Sequence, residues 1–271
     1  MIVSAVVLAY VLSSIGFIGY LFWRKPVVMT VSRILFGVSV TLHFFLLVIL
    51  AGQAGSLPVL SPAQAANMMI FLSSLVFAFF VYKRSTAVMG AFFLPVASFF
   101  LSVIAPSLQT GRGVSHAFSR IWYPLHTLTV ISGEALFAVA FVVSAIYLIH
   151  DSIIRRGKIH TAVSSLPPLR MLDKILTVCL SLGFVAITAG MIFGGLWASS
   201  LGFEFNHLAT KASAGAATWL AFAFCIHQRF AIGWAGRRTA MITIAGFILM
   251  ILLFIVLNLM FPEAHGVRLT T

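Results

Sequence analysis

The chain has 271 residues, of which 61% are hydrophobic and only 8% charged. So few charges cannot coat a water-soluble domain, which excludes one. Its net charge of +12 would point to nucleic acid in a soluble protein. Here the basic residues sit in short breaks between apolar runs, with no folded basic surface, so nucleic acid is excluded as a partner.

Runs of about 20 apolar residues cross the roughly 30 Å hydrocarbon core as helices. Lipid offers backbone groups no other partner, so the fold class is an all-α integral membrane protein. In chain order the predicted spans are Ile2–Trp23, Val31–Ala51, Asn67–Tyr82, Thr86–Ala105, Tyr123–His150, Ile175–Ala198, Ser213–Ile232 and Thr239–Phe261. The first has no positive n-region or small-residue cleavage site, so it reads as a retained helix. Lys83-Arg84 reads as a tight turn that makes spans three and four an antiparallel hairpin. The fifth span is long for one crossing and is expected to tilt or to extend beyond the membrane. The break Asp151–Lys174, with Pro167-Pro168, is expected to link two halves of one bundle covering residues 1–271.

Of the 17 basic residues, only Arg112, Arg120, Lys211 and Arg268 fall in breaks on one face; the rest gather on the other. That asymmetry places the richer face in the cytoplasm and both termini outside. The expected setting is a bacterial inner membrane, with the lipid bilayer as the first partner.

Span six carries Gly183, Gly190, Gly194 and Gly195. The Gly190-x-x-x-Gly194 spacing permits close helix approach; the other reading is a groove for a flat cofactor. Cys179 and Cys225 lie in apolar runs. There is no CxxC for disulfide exchange and no CxxCH for covalent haem, so both read as small buried hydrophobes.

Ionisable groups at membrane depth are costly and each asks for a function. His43 lies in the middle of span two, His126 in the first outer turn of span five and His227 in the inner half of span seven. His265 lies just beyond span eight, and Glu134 lies two turns below His126. Neutral imidazole can hold haem iron axially. Two histidines on one iron must match in depth, and His126 and His265 both sit at the outer boundary. His43 and His227 make a second, deeper candidate pair whose levels differ by roughly 9 Å at about 1.5 Å rise per residue. The alternative is that each buried histidine only ties helices together. Glu134 reads either as a proton relay or as a carboxyl holding two helices together. His116 and His207 read as solvated loop residues, and His150 and His160 as interfacial. No phosphate-binding loop, HExxH or GxSxG is present.

Several segments, taken in order, carry a resemblance. They are Arg120-Ile-Trp-Tyr-Pro-Leu-His126, Leu166-Pro-Pro-Leu-Arg-Met-Leu-Asp173, Gly194-Gly-Leu-Trp-Ala198, Trp219 to Arg229, Gly233-Trp-Ala-Gly-Arg-Arg238 and Asn258 to His265. Together, over roughly residues 119–265, the chain resembles the cytochrome c assembly membrane-protein family, the haem-handling group of CcsA, CcmC and HemX-type proteins. The outer stretch Gly202–Lys211 departs from the Trp-rich, Asp-Pro-containing loop of the haem-transferring members. In this it resembles the HemX or YpjD-like branch.

The resemblance implies binding and handover of haem b in cytochrome c biogenesis, with no substrate turned over. His126 and His265 would be the outer axial ligands, and His227, with His43, would hold haem within the bundle. Trp197, Phe203 and Phe205 would give apolar contact, and Arg120 or Lys211 would pair with propionates. An apocytochrome c or a second membrane assembly subunit would be the partner. Two other readings stand beside this one. One is a regulatory or scaffold protein of the same fold, HemX-like, acting on haem synthesis without transferring haem. The other is a small-solute or ion transporter.

Overall fold

The computed structural model describes residues 2–83, 86–108, 121–157, 166–200 and 205–260, with the side chains of 205–211 and 257–260 excepted. Eight α-helices run through them: α1 (Ile2–Trp23), α2 (Pro26–Ala54), α3 (Pro62–Val81), α4 (Gly90–Ile104), α5 (Trp122–Arg155), α6 (Leu169–Ser200), α7 (Phe205–Phe230) and α8 (Arg237–Met260). Single 3-10 turns, Ala87–Met89 and Ala105–Ser107, flank α4. There is no strand among the described residues.

Among the described residues, seven segments are long and apolar enough to cross a membrane, which makes this a multi-pass membrane protein. α7 is the least apolar of the eight helices, with alanine, serine and threonine through its first half and His227-Gln228-Arg229 near its end. Large apolar side chains such as Ile15, Ile34, Val185 and Ile192 are exposed around the bundle; they form its lipid coat.

The helix ends follow local chemistry. Arg24 adopts the left-handed conformation, φ 52°, and Pro26 opens α2 at once, where its missing N–H is no loss. Gly55 closes α2 at φ 63°, a conformation glycine adopts without strain. Ser61 caps α3: the Gln64 N–H donates to its Oγ at 3.2 Å, and Gln64 Oε1 accepts from the Leu60 N–H at 2.9 Å. These caps lengthen the helices, so the outer break expected over Gly52–Ala66 shrinks to residues 55–61. At the outer break after span six, α7 begins at Phe205 and takes up part of the stretch expected to be loop.

α5 is the axis of the bundle. It packs against α3, α6 and α8 and touches α4. On one side α1 lies against α2 and α4, and on the other α7 bridges α6 and α8. Stacked rings fill the joints: Phe77 on Phe93 with centroids 3.9 Å apart, and Phe141 on Phe247 at 4.8 Å.

The tightest joint is α5 with α6. A Cβ at Gly133 would lie 2.9 Å from the Gly183 carbonyl oxygen, and one at Gly183 only 2.6 Å from the Phe137 ring. At Gly190 it would lie 2.5 Å from Val130 Cγ2. The glycines of span six are therefore a packing seam, except Gly195, where an added Cβ meets nothing within 4 Å.

Candidate functional site

His126 stands in the second turn of α5 and lies against the α6 glycines. Its Nδ1 is 2.8 Å from the Gly190 carbonyl oxygen. A carbonyl only accepts, so Nδ1 carries the proton and Nε2 of the neutral ring carries the lone pair. Anchoring one ring nitrogen on a carbonyl is how proteins orient an imidazole ligand and fix its tautomer. The ring also stacks on Trp197, centroids 6.2 Å apart and planes 19° from parallel. Trp197 is buried and packs on Tyr123 at 5.1 Å. Leu47, Val59, Met68, Phe71 and Ile131 complete an apolar cluster with these two rings.

The structure thus brings together His126 and Trp197 of the outer set. His265, Phe203 and Arg120 lie outside the described residues. Phe205 and Lys211 belong to the first turns of α7, and their side chains are likewise not described.

The deeper histidines have different surroundings. His43 is fully buried among α1, α2 and α3. Its Nδ1 is 3.1 Å from Tyr10 Oη, and its Nε2 is 3.1 Å from Asn67 Oδ1. Tyr10 has one hydroxyl hydrogen and a second neighbour, Ser74 Oγ, at 2.8 Å. That hydrogen goes to Ser74 Oγ, whose own hydrogen goes to the Ile70 carbonyl at 2.7 Å, so Tyr10 Oη accepts from the His43 Nδ1–H. Asn67 Nδ2 is buried without a hydrogen-bond partner among the described residues. His227 lies exposed in the last turn of α7, beside Arg229. Glu134 is half-buried on α5 and has no hydrogen bond or ion pair among the described residues.

A second constellation sits at the basic end and joins three of the quoted segments. Asp173, in the first turns of α6, accepts from Arg229 Nη1 at 2.9 Å and Nη2 at 2.6 Å. The same carboxylate accepts the Gly236 N–H at 2.8 Å. Arg229 also donates to the Trp234 carbonyl at 3.2 Å, so the α7–α8 turn is clasped from both sides. Asp151 at the end of α5 takes Arg155 Nε at 2.9 Å and Arg237 Nη1 at 3.0 Å. Gly236 needs its glycine twice: φ is 62°, and the Tyr147 hydroxyl lies where a Cβ would go. These pairings were missed in the sequence. The signal available was scarcity: with five acidic residues against 17 basic ones, each aspartate in a basic break marks a place worth examining.

Comparison with known proteins supplies the wider frame. The sequence model of the family described as "Cytochrome C assembly protein" matches residues 2–265. The "Cytochrome c biogenesis protein CcsA" of Microcystis aeruginosa is 32% identical over 111 residues, 39% of this chain and 34% of that protein. The protein of the same name from Nostoc punctiforme is 34% identical over 95 residues, 35% of this chain and 27% of its own length. That of Chlamydomonas reinhardtii is 23% identical over 243 residues, 87% of this chain and 68% of its own. In the first two, the match spans about a third of the relative's length.

Proposed function

The chain belongs to the cytochrome c assembly protein family, and from that premise we propose that it binds haem b at its outer end and hands it on during the maturation of c-type cytochromes. The setting is a bacterial inner membrane, and haem is the cargo. The observation that carries the proposal is His126: Nδ1 anchored on the Gly190 carbonyl at 2.8 Å and the ring stacked on the buried Trp197. That donor chemistry fits an axial ligand to iron. His265 is the second ligand. Trp197, Phe203 and Phe205 cover the porphyrin, and Arg120 or Lys211 takes the propionates.

What this chain does is bind and release. It orients an imidazole, excludes water with the Tyr123–Trp197 cluster, and leaves delivery to an apocytochrome or a second membrane subunit. His43, held by protein groups on both nitrogens, serves as a post between α1, α2 and α3; iron there would displace Tyr10 or Asn67. His227 would meet haem only on the exposed side of α7.

The test is an oxidised and reduced absorption spectrum of the detergent-purified protein with a pyridine haemochrome assay. A b-type signal near one haem per chain is expected, reduced in His126→Ala and in His265→Ala and unchanged in His207→Ala. If both ligand variants keep the wild-type content and spectrum, the outer assignment is wrong.

A second reading is favoured by the stretch Gly202–Lys211, which lacks tryptophan and an Asp-Pro pair. Indole is a flat amphipathic platform at a membrane interface, and without it haem presentation is weakened. The fold would then act as a regulator or scaffold. A protein that is colourless and takes up no added haem would decide for that reading.

A further inference from the structure

At the basic end, between α5, α6 and the α7–α8 turn, lies a cavity of about 730 Å³. Arg155, Arg170, Arg237 and Arg238 line it together with Tyr147 and Trp234. Its one acidic wall, Asp173, is already taken by Arg229 and the Gly236 N–H. Asp151 beside it is shared by Arg155 and Arg237. Five arginines therefore face two aspartates, and three positive charges go uncompensated. The chain has only five acidic residues in all, so the cavity carries a net positive charge that favours an anion.

Two further features define the ligand. The N-terminal turns of α6 and α8 open on the cavity, at Leu169-Arg170 and Arg237-Arg238. The N–H groups and the positive dipole end of a helix start favour an anion. Ile232 lines the cavity, and Phe230 lies just before it; they are 58% and 63% exposed. Arg238 lies over the Trp234 ring at 5.7 Å, a cation on an interfacial indole. An apolar rim beside an arginine-lined cavity suits an amphiphile, not a soluble ion.

We infer that this cavity is a binding site for an anionic phospholipid of the inner leaflet, its phosphate among Arg170, Arg237 and Arg238 and its acyl chains along Ile232 and Phe230. Basic pockets between membrane helices on the cytoplasmic side recognise such headgroups. The inference is independent of haem binding.

The experiment uses the full chain, delipidated in detergent and titrated with cardiolipin, phosphatidylglycerol, phosphatidylcholine or inorganic phosphate. Bound lipid is read by native mass spectrometry. Cardiolipin is expected to be retained in preference to phosphatidylcholine. Arg170→Ala and Arg238→Ala should each weaken retention about fivefold, since a basic residue near an anionic surface is worth about 1 kcal/mol. Lys25→Ala, exposed at the same end and outside the cavity, should leave retention unchanged. Equal retention of phosphatidylcholine overturns the site. So does an equal loss in Lys25→Ala, which would mean diffuse attraction. Competition by inorganic phosphate at concentrations matching the lipid would overturn the lipid assignment in favour of a free anion. The lipid preference of the wild-type chain decides the matter even where an arginine variant fails to fold.

Discussion

His126 lies over Gly194 so closely that a side chain there would collide with it: a Cβ at 194 would be 2.8 Å from Nδ1 and 2.9 Å from Cε1. The ring cannot yield cheaply, because Nδ1 is held by the Gly190 carbonyl at 2.8 Å and Trp197 stacks on its face. Gly194→Ala is therefore expected to turn the imidazole or to part α5 from α6 near their outer ends. Overpacking of this kind costs about 1–3 kcal/mol. Its readout is haem content per chain by pyridine haemochrome, expected to fall toward that of His126→Ala. Gly195→Ala, which meets nothing within 4 Å, should keep wild-type content. Equal behaviour of the two variants would show that ring placement does not govern haem binding.

The network around His43 makes a separate prediction. Tyr10→Phe keeps the ring volume and removes only the hydroxyl shared by His43 and Ser74. A buried hydrogen bond within a membrane bundle is worth about 0.6–2 kcal/mol, so a modest loss of stability is expected. Asn67→Ala should cost more, since it also opens a void beside a fully buried imidazole. Both cysteines are buried and free, so labelling by a thiol-reactive dye during heating in detergent reports unfolding. Haem content should stay at the wild-type level in both variants. A lost haem signal in Tyr10→Phe would instead place cofactor at the deeper histidine.

How much of this was legible beforehand depended on the type of signal. Helix positions were, because hydropathy decides where the chain can lie in lipid; α1 has the expected limits Ile2 and Trp23. Ends were less so, because caps such as Ser61 with Gln64 and Gly55 extend helices into polar segments that hydropathy alone reads as breaks. The α6 seam was visible as Gly190-x-x-x-Gly194, yet that spacing does not tell which helix it meets. His126 was singled out by depth, whereas its anchor, a backbone carbonyl 64 residues away, has no sequence signature. His43 and His227 were read together as one deeper candidate pair. Only packing separates them, since a histidine in the last turn of α7 can face outward while one in the middle of α2 is enclosed by α1 and α3.

The Asp173–Arg229 pair yields the last prediction. With side-chain exposures of 21% and 15%, it lies between a surface ion pair, worth about 0–1 kcal/mol, and a buried one, whose breaking costs about 3–5 kcal/mol. Asp173→Asn keeps the shape and removes the charge, and a loss of about 2 kcal/mol is expected. The same dye-labelling melt reads it. The charge swap Asp173→Arg with Arg229→Asp should recover only part of that loss. A guanidinium can restore attraction between α6 and α7, but it has no acceptor for the Gly236 N–H, which the native carboxylate binds at 2.8 Å. Full recovery would mean that the clasp works through charge alone. No recovery would mean that the carboxylate's main task is to hold the α7–α8 turn, with Arg229 there to keep it in place.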